Sequence, residues 1–470
     1  MSDPYFMTIA EASALIRARK LSPVELTRIF LDRIAAYDAQ LNAYILPLAD
    51  AALAAARTAE TEIAGGHYKG PLHGIPIGLK DIYNTAGVAT TGHSALFRDH
   101  VPDADAFTVA LLREAGTITL GKLSTWEFAI GGASFDLPWP PARNPWNTAR
   151  EPGGSSSGSG VAVAAGLAMA AMGTDTGGSI RGPASWCGIS GLKPTYGYLS
   201  RRGILPLSPS LDHAGPMCWT SEDCALMMQV LAKHDPLDAA SATVPPVDFA
   251  AALGGDLKGL RIGVPRHFFE TDLTCEPDVL AAFEASLEVF RALGATVTDV
   301  TLSPLGLFTD VNGLITAAEA YAIHREWLQK TPHLYGERGR LRIMAGAFVT
   351  AADYVNAQRE RTRLVQEVTA VMTGCDLLLM PTRQMTAPEL GGYDSSAGAS
   401  LTRPFNMTGF PALSVCNGFD RNGLPTSLQI AGRPFEDHLV LKAGDAYEKA
   451  TSYRSARPTL SAPAAALAAN

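Results

Sequence analysis

The chain has 470 residues, which is enough for one large domain or for two to three ordinary ones. Hydrophobic residues make up 47% and charged residues 18%, a balance that excludes a disordered chain. The formal net charge of −8, without a block of Lys and Arg, argues against a nucleic-acid-binding surface.

The first 65 residues are predicted to be an N-terminal helical segment. Thr8 and Glu11 have the spacing of a capping box, and Ser22-Pro23 begins a second helix with proline at its first position. A third helix, rich in alanine, starts near Asp50 and ends at Gly65-Gly66.

The sequence after residue 65 predicts three further regions. Residues 66–230 are rich in glycine, serine and short apolar runs, which predicts the core, with strands near 75–77 and 117–120. Residues 231–400 form a variable α/β and helical region on the substrate side, and residues 401–470 return to the core sheet and end in a tail. Strands are expected at 260–264, 295–300, 377–380, 412–415 and 427–430, and helices at 277–293, 306–329 and 339–372. This alternation favours an α/β fold, a single large domain whose central mixed sheet is covered by helices on both faces.

Two glycine-rich turns, each carrying a serine, flank a run of small apolar residues. The first is 153–160 and contains Ser155, and the second is 173–181 and contains Ser179. A flexible linker would not need the buried segment between them, so the two serines can be brought together. Consecutive backbone N–H groups of residues 176–179 (Thr176, Gly177, Gly178 and Ser179) are the candidate oxyanion hole.

A serine nucleophile needs a base, and none of the ten histidines lies in a recognisable triad context. Lys80 is the alternative, because it is the one cation in the apolar strand-like segment 74–82. Burial would lower its pKa toward the neutral amine, which is a competent base. A lysine beside a strand can also extend to water, so the residues alone leave both arrangements open.

Together, these three segments closely resemble the amidase signature family. Residues 74–81 resemble its lysine strand, 153–156 its GGSS segment, and 173–181 match its GTDTGGSIR segment throughout. The spacings agree as well, with 75 positions between Lys80 and Ser155 and 24 between Ser155 and Ser179. The resemblance covers essentially the whole chain and is weakest from about 231 to 400. Ser157 departs from the pattern, since the family commonly has glycine there.

This resemblance implies a Ser-cisSer-Lys triad and the amidase signature fold. Lys80 deprotonates Ser155, Ser155 deprotonates Ser179, and Ser179 forms an acyl-enzyme that water hydrolyses. The peptide bond before Ser155 is expected to be cis. No metal and no organic cofactor is expected.

Two literal motif matches point to other chemistry. Residues 154–158 satisfy GxSxG, but the turn-like stretch before them is not the strand which that motif requires. Residues 190–193 satisfy SxxK, but Pro194 disfavours the helix that should follow, and no KTG segment exists. Both alternatives are rejected.

Three functions remain open from the sequence. The leading expectation is a stand-alone amidase that hydrolyses a small carboxamide, an anilide or a related carbamate or ester. The second is the glutamine-hydrolysing A subunit of a tRNA-dependent amidotransferase, which residues 342–344 also resemble. The third is a non-catalytic binding protein, which the intact Lys80, Ser155 and Ser179 disfavour.

The expected partners are a small-molecule amide and, as is common among relatives, a second copy of the chain. Neither nucleic acid nor membrane is expected. The absence of an export signal and of an apolar run near the roughly 20 residues that span a bilayer predicts a cytoplasmic protein. Four aromatic residues are candidates for an apolar substrate pocket, although core packing is the favoured role for any single one: Trp126, Phe135, Trp139 and Trp186.

Overall fold

A computed structural model describes residues 3–393 and 401–461. Within these residues, eleven strands form one sheet: β1 (Tyr44–Pro47), β2 (Pro76–Lys80), β3 (Ile118–Leu123), β4 (Ala170–Asp175), β5 (Ser190–Lys193), β6 (His213–Cys218), β7 (Arg261–Val264), β8 (Thr296–Asp299), β9 (Leu377–Pro381), β10 (Ala412–Phe419) and β11 (Pro425–Gly432). The helices are α1 (Ile9–Arg17), α2 (Pro23–Leu41), α3 (Ala49–Ala64), α4 (Phe107–Glu114), α5 (Ser157–Ala164), α6 (Arg181–Cys187), α7 (Ser221–Leu231), α8 (His267–Glu270), α9 (Pro277–Ala292), α10 (Leu305–Lys330), α11 (Glu337–Met344), α12 (Ala351–Val371), α13 (Arg403–Thr408) and α14 (Asp437–Ala450).

The sheet confirms the predicted mixed α/β fold. Its strand order is β1-β3-β2-β4-β6-β5-β10-β11-β9-β7-β8. β2 runs parallel to both of its neighbours, β3 and β4, and β7 runs parallel to β8 and β9. The pairs from β4 through β6, β5, β10 and β11 to β9 are antiparallel. One sheet therefore joins strands from every part of the chain.

Two groups of helices flank the sheet. α5 and α6 contact each other and pack on the central strands, α5 on β4 and β2 and α6 on β5, β10 and β11. α7, α9 and α14 form the second group, in which α14 contacts both other helices and β10 and β11. Every residue of α5, β4 and α6 is buried, which explains why their side chains, apart from those of Asp175 and Arg181, are small or apolar.

Most of the predicted elements are present, and some helix termini follow their predicted signals. The Thr8–Glu11 capping box begins α1, and Ser22 accepts hydrogen bonds from the N–H groups of Val24 and Glu25 at the start of α2. The N-terminal segment is not wholly helical, however, because β1 pairs antiparallel with β3. Its four residues are too few for a periodic signal, so the strand is defined by its sheet partner.

The single helix predicted at 339–372 is also wrong. The structure has α11, a short 3₁₀ turn over Ala345–Phe348 and then α12. Gly346 packs so closely on α10 that a methyl group there would lie 2.0 Å from the carbonyl oxygen of Ala317. Thr350 then begins α12 with a capping box to Asp353. A close contact and a new cap thus divide the helix.

No helix of the described residues combines the length and the apolar character that crossing a membrane requires.

Candidate active site

Lys80 is the last residue of β2 and is completely buried. Hydrogen bonds join its Nζ to Ser155 Oγ at 2.7 Å and to Thr174 Oγ1 at 2.8 Å. The side chain therefore turns into the protein rather than toward water. Burial lowers the pKa of Lys80 to about 7, against the opposing effect of the carboxylates of Asp175 and Asp212. The neutral amine, which is the form that can act as a base, is therefore accessible near neutral pH.

Ser155 lies in the turn that precedes α5. Its peptide bond with Gly154 is cis, as the resemblance implies. Its carbonyl oxygen accepts hydrogen bonds from the N–H groups of Trp126 at 3.0 Å and Ser157 at 2.8 Å. Gly154 lies against the Trp126 ring, where a methyl group would come within 2.0 Å of Cε2. The turn is thus fixed on both sides of the serine.

Ser179 lies in the turn between β4 and α6, and the carboxylate of Asp175 organises this turn. Asp175 accepts hydrogen bonds from the N–H of Gly178 at 2.7 Å and of Ile180 at 3.0 Å. Arg181 donates to the same carboxylate through Nε at 3.0 Å and Nη2 at 2.9 Å. Although burial opposes it, this ion pair holds the pKa of Asp175 well below its usual range.

The Arg181 guanidinium ties the Ser179 turn to the C-terminal part of the chain. It donates to the carbonyl of Thr402 at 2.8 Å and, at 2.6 Å each, to the side chains of Gln429 and Asn406. Because Arg181 and Asp175 are both fully buried, loss of either partner would leave an uncompensated charge.

The structure brings the two serine turns together. The N–H of Ser156 donates to the carbonyl of Ser179 at 3.2 Å, so the Ser179 backbone lies beside the residue that follows Ser155. Lys80, Ser155 and Ser179, predicted from three separate segments, therefore share one site.

The four predicted oxyanion donors are not equivalent. The N–H of Gly178 donates to Asp175, so it is not available to a ligand, and this donor is removed from the predicted set. The carbonyl of Thr176 accepts from Asn312 Nδ2 at 3.1 Å, which turns the N–H of the same planar peptide, that of Gly177, to the opposite side. Thr176, Gly177 and Ser179 all line the adjacent cleft, and their N–H groups are the remaining candidates.

A cleft of about 440 Å³ opens beside Ser179. One wall comes from α10, with Thr309, Asp310 and Asn312 among its residues. Three arginines from separate segments also line it: Arg342 in α11, Arg383 after β9 and Arg403 at the start of α13. Asp310 is the acidic residue among the lining side chains, and it is exposed. The cleft therefore has a surplus of positive charge.

The four predicted pocket aromatics are not together. Trp126 lines the cleft. Trp186 is completely buried behind it, where its indole N–H donates to the carbonyl of Met385 at 2.9 Å. Phe135 is 63% exposed, and the half-buried Trp139 packs edge-on against His93 at 5.8 Å, so neither lines this cleft.

Neither the three cleft arginines nor Asp175, which orders the turn, is among the site residues predicted from the sequence. Asp175 lies inside the GTDTGGSIR segment and could have been found there. The arginines lie in three separate segments, and nothing in the local sequence indicates that they converge.

In residues 3–393 and 401–461, no group of three or more His, Cys, Asp and Glu side chains is arranged to hold a metal ion. The groups that the structure gathers at Ser179 are hydroxyls, backbone N–H groups, one buried amine and guanidinium groups. Such a set suits acyl transfer to a serine.

Comparison with known proteins agrees with this chemistry. The profile of the Amidase family matches residues 25–441. The chain is 41% identical to the A subunit of glutamyl-tRNA(Gln) amidotransferase from Chloroflexus aggregans, over 98% of this chain and 99% of the relative.

Two solved structures show the same fold. The A subunit of glutamyl-tRNA(Gln) amidotransferase from Thermotoga maritima is 32% identical with a TM-score of 0.83, over 98% of this chain and 99% of that one. A structure described as a vestigial complex that reveals the origins of an s-triazine catabolic enzyme is 31% identical with a TM-score of 0.90, over 96% and 100%.

These relatives correct two expectations from the sequence. The leading expectation of a stand-alone amidase is wrong, because the chain matches proteins named as amidotransferase subunits over nearly its whole length. The expectation of no nucleic-acid connection, with a second copy of the chain as the protein partner, is wrong for the same reason. The relatives are named as one subunit of an enzyme that acts on glutamyl-tRNA(Gln).

Proposed function

The chain belongs to the amidase family, and we propose that this carbon–nitrogen hydrolase is the glutamine-hydrolysing subunit of a tRNA-dependent amidotransferase. The observation that carries the proposal is the near full-length match to subunits of that name, with Lys80, Ser155 and Ser179 in place. The cleft supports it, because guanidinium groups and an exposed carboxylate complement the α-carboxylate and α-ammonium of a free amino acid.

The proposed reaction starts from neutral Lys80. Lys80 takes a proton from Ser155, which takes one from Ser179, and the Ser179 oxygen attacks the side-chain amide carbon of glutamine. The N–H groups of Thr176, Gly177 and Ser179 stabilise the negative oxygen that forms. The proton returns through Ser155 to the leaving nitrogen, and ammonia departs.

The remaining acyl group is a glutamyl ester of Ser179. Water attacks this ester with the same proton relay, which releases glutamate and restores the Ser179 hydroxyl. Ammonia is the product used in the second half of the reaction, on a partner chain that holds the aminoacylated tRNA. We place this assembly in the cytoplasm, where charged tRNA is available.

The test is glutamate release by the tagged chain purified from its own cells together with the proteins that accompany it. We expect glutamine hydrolysis and, with glutamyl-tRNA(Gln) present, transfer of the released nitrogen to the tRNA-bound glutamate. Ser179→Ala should abolish both, at a cost of about 10³-fold or more in kcat.

The matched control is Ser159→Ala. Ser159 is a fully buried serine in α5 whose hydroxyl donates to the carbonyl of Met172 at 2.9 Å, and it does not line the cleft. This variant should keep its activity. A wild-type preparation that cleaves aryl amides but leaves glutamine and the tRNA-bound glutamate unchanged would contradict the proposal.

A further inference from the structure

Arg403 is a cleft arginine that is buried without an ion-pair partner among the described residues. It is 8% exposed and begins α13. Its Nη1 donates to the carbonyl of Thr309 at 3.2 Å, while its buried Nε has no hydrogen-bond partner. Within the described part of the chain, no carboxylate forms an ion pair with it. A buried cation with an open donor is an arrangement that a bound anion would complete.

The other two arginines are placed differently. Arg383 donates to the hydroxyl of Tyr393 at 2.7 Å and lies over the Trp186 ring, 4.9 Å from its centroid. Arg342 is half-exposed, so water screens its charge. Arg403 is buried and its Nε donor has no partner, so an anion bound to it would be held more strongly than one bound at the surface.

The position of Arg403 relates it directly to the reacting serine. A methyl group on Gly177 would lie 3.8 Å from Arg403 Nε, so the guanidinium packs against the turn that carries Ser179. Burial lowers the pKa of Arg403 to about 10, with Arg342 and Arg383 acting in the same direction, and the group stays charged at neutral pH. A ligand that reaches both Arg403 and Ser179 must be short.

We propose that Arg403 binds a carboxylate of the substrate and sets a preference for short amides that carry one on the acyl side. This inference rests on the proposed function and deepens it, since glutamine is such an amide, as are the monoamides of succinic and glutaric acid. Arg403 acts on specificity, and Lys80, Ser155 and Ser179 act on the bond.

The experiment compares carboxylated amides with a neutral one of similar length. Wild type, Arg403→Gln and Arg403→Lys are assayed with glutamine, glutaramate and butyramide, with KM and kcat measured separately. Loss of a charge-assisted hydrogen bond predicts that Arg403→Gln raises KM for glutamine and glutaramate by about 10- to 100-fold. Butyramide turnover should change less than about threefold, and Arg403→Lys should recover part of the loss for the carboxylated amides.

Arg361→Gln is the matched control for loosening of α13. Arg361 Nε donates to the carbonyl of Met407 in the same helix at 2.8 Å, but Arg361 does not line the cleft. This variant should leave the ratio of glutaramate to butyramide activity unchanged. Equal losses on both amides in Arg403→Gln would overturn the inference and assign Arg403 a packing role.

A binding measurement separates this inference from the proposed function. Calorimetry with glutarate, which needs no turnover, should detect binding to the wild type and at least tenfold weaker binding to Arg403→Gln. If glutamine is not hydrolysed but glutarate binding depends on Arg403, the proposed function fails and the inference stands. If glutamine is hydrolysed with an unchanged KM in Arg403→Gln, the inference fails and the function stands.

Discussion

The acid limb of the pH–activity profile should report the state of Lys80. A lysine with the ordinary pKa of 10.5 is neutral in about one molecule in 3,000 at pH 7, whereas a pKa of about 7 leaves about half neutral. Burial thus raises the population of the base by about 10³-fold. We expect kcat/KM for glutamine to rise with pH to a plateau above about 8, and to fall to about a tenth of the plateau at pH 6.

Asp212→Asn perturbs this limb in a known direction. The carboxylate of Asp212 is one of two that favour the ammonium form of Lys80; it is half-buried and accepts a hydrogen bond from Thr176 Oγ1 at 2.6 Å. Removing its negative charge disfavours the ammonium further, so the pKa of Lys80 falls and the limb moves to lower pH.

The assay is kcat/KM for glutamate release between pH 5.5 and 9.5, for wild type, Asp212→Asn and a control. Asp238→Asn is the control, because it removes a nearby carboxylate that instead pairs with Arg201. We expect the control to keep the wild-type limb and Asp212→Asn to gain activity at pH 6 relative to its own plateau. A limb centred near pH 10, or one that Asp212→Asn moves to higher pH, would refute the neutral-lysine mechanism.

Two further changes test the packing around the site. Gly154→Ala should inactivate the enzyme, because its methyl group would lie 2.0 Å from the Trp126 ring, whereas Gly306→Ala, with open space around it, should be active; comparable rates in the two variants would contradict this. Glu127 accepts from the N–H of Gly336 at 3.0 Å, and burial raises its pKa from 4.5 to about 7. Because folding favours the protonated carboxyl, its contribution to the free energy of unfolding is fully present below pH 4.5 and is lost as the pH rises through 7. In urea unfolding, the free energy of unfolding of Glu127→Gln should therefore rise relative to that of wild type by up to roughly 3 kcal/mol between pH 5 and 8. A difference between the two proteins that stays constant over this range would contradict the prediction.

The candidate triad could be proposed from the sequence because each of its residues lies in a short, locally recognisable segment. Lys80 lies in one short strand and each serine in one short glycine-rich turn, so the residues proposed to act on the bond have recognisable neighbours. The mixed sheet was predictable as a class, because alternating strands and helices restrict the possible architectures. Its strand order was not, since pairings such as that of β4 with β6 depend on contacts between distant segments.

The positive charge of the cleft was not predictable for the same physical reason. Arg342, Arg383 and Arg403 lie in three segments that meet only in the folded protein. The engagement of the Gly178 N–H by Asp175 is likewise a matter of three-dimensional geometry, although both residues are in the recognised segment. The aromatic candidates were chosen by residue type, which does not tell whether a ring faces a cleft, the core or solvent.

The hydrogen bonds of Arg181 determine when, during synthesis on the ribosome, the Ser179 turn can acquire its full support. Its partners Asn406 and Gln429 follow it by 225 and 248 positions. A ribosome therefore releases both serines and the lysine long before the residues that complete the support of the Ser179 turn. Until then Asp175 is present, but the acceptors on Thr402, Asn406 and Gln429 are missing, and under the proposed function a nascent chain ending before α13 would be unable to hydrolyse glutamine. Premature termination would thus yield inert fragments rather than an unregulated source of ammonia.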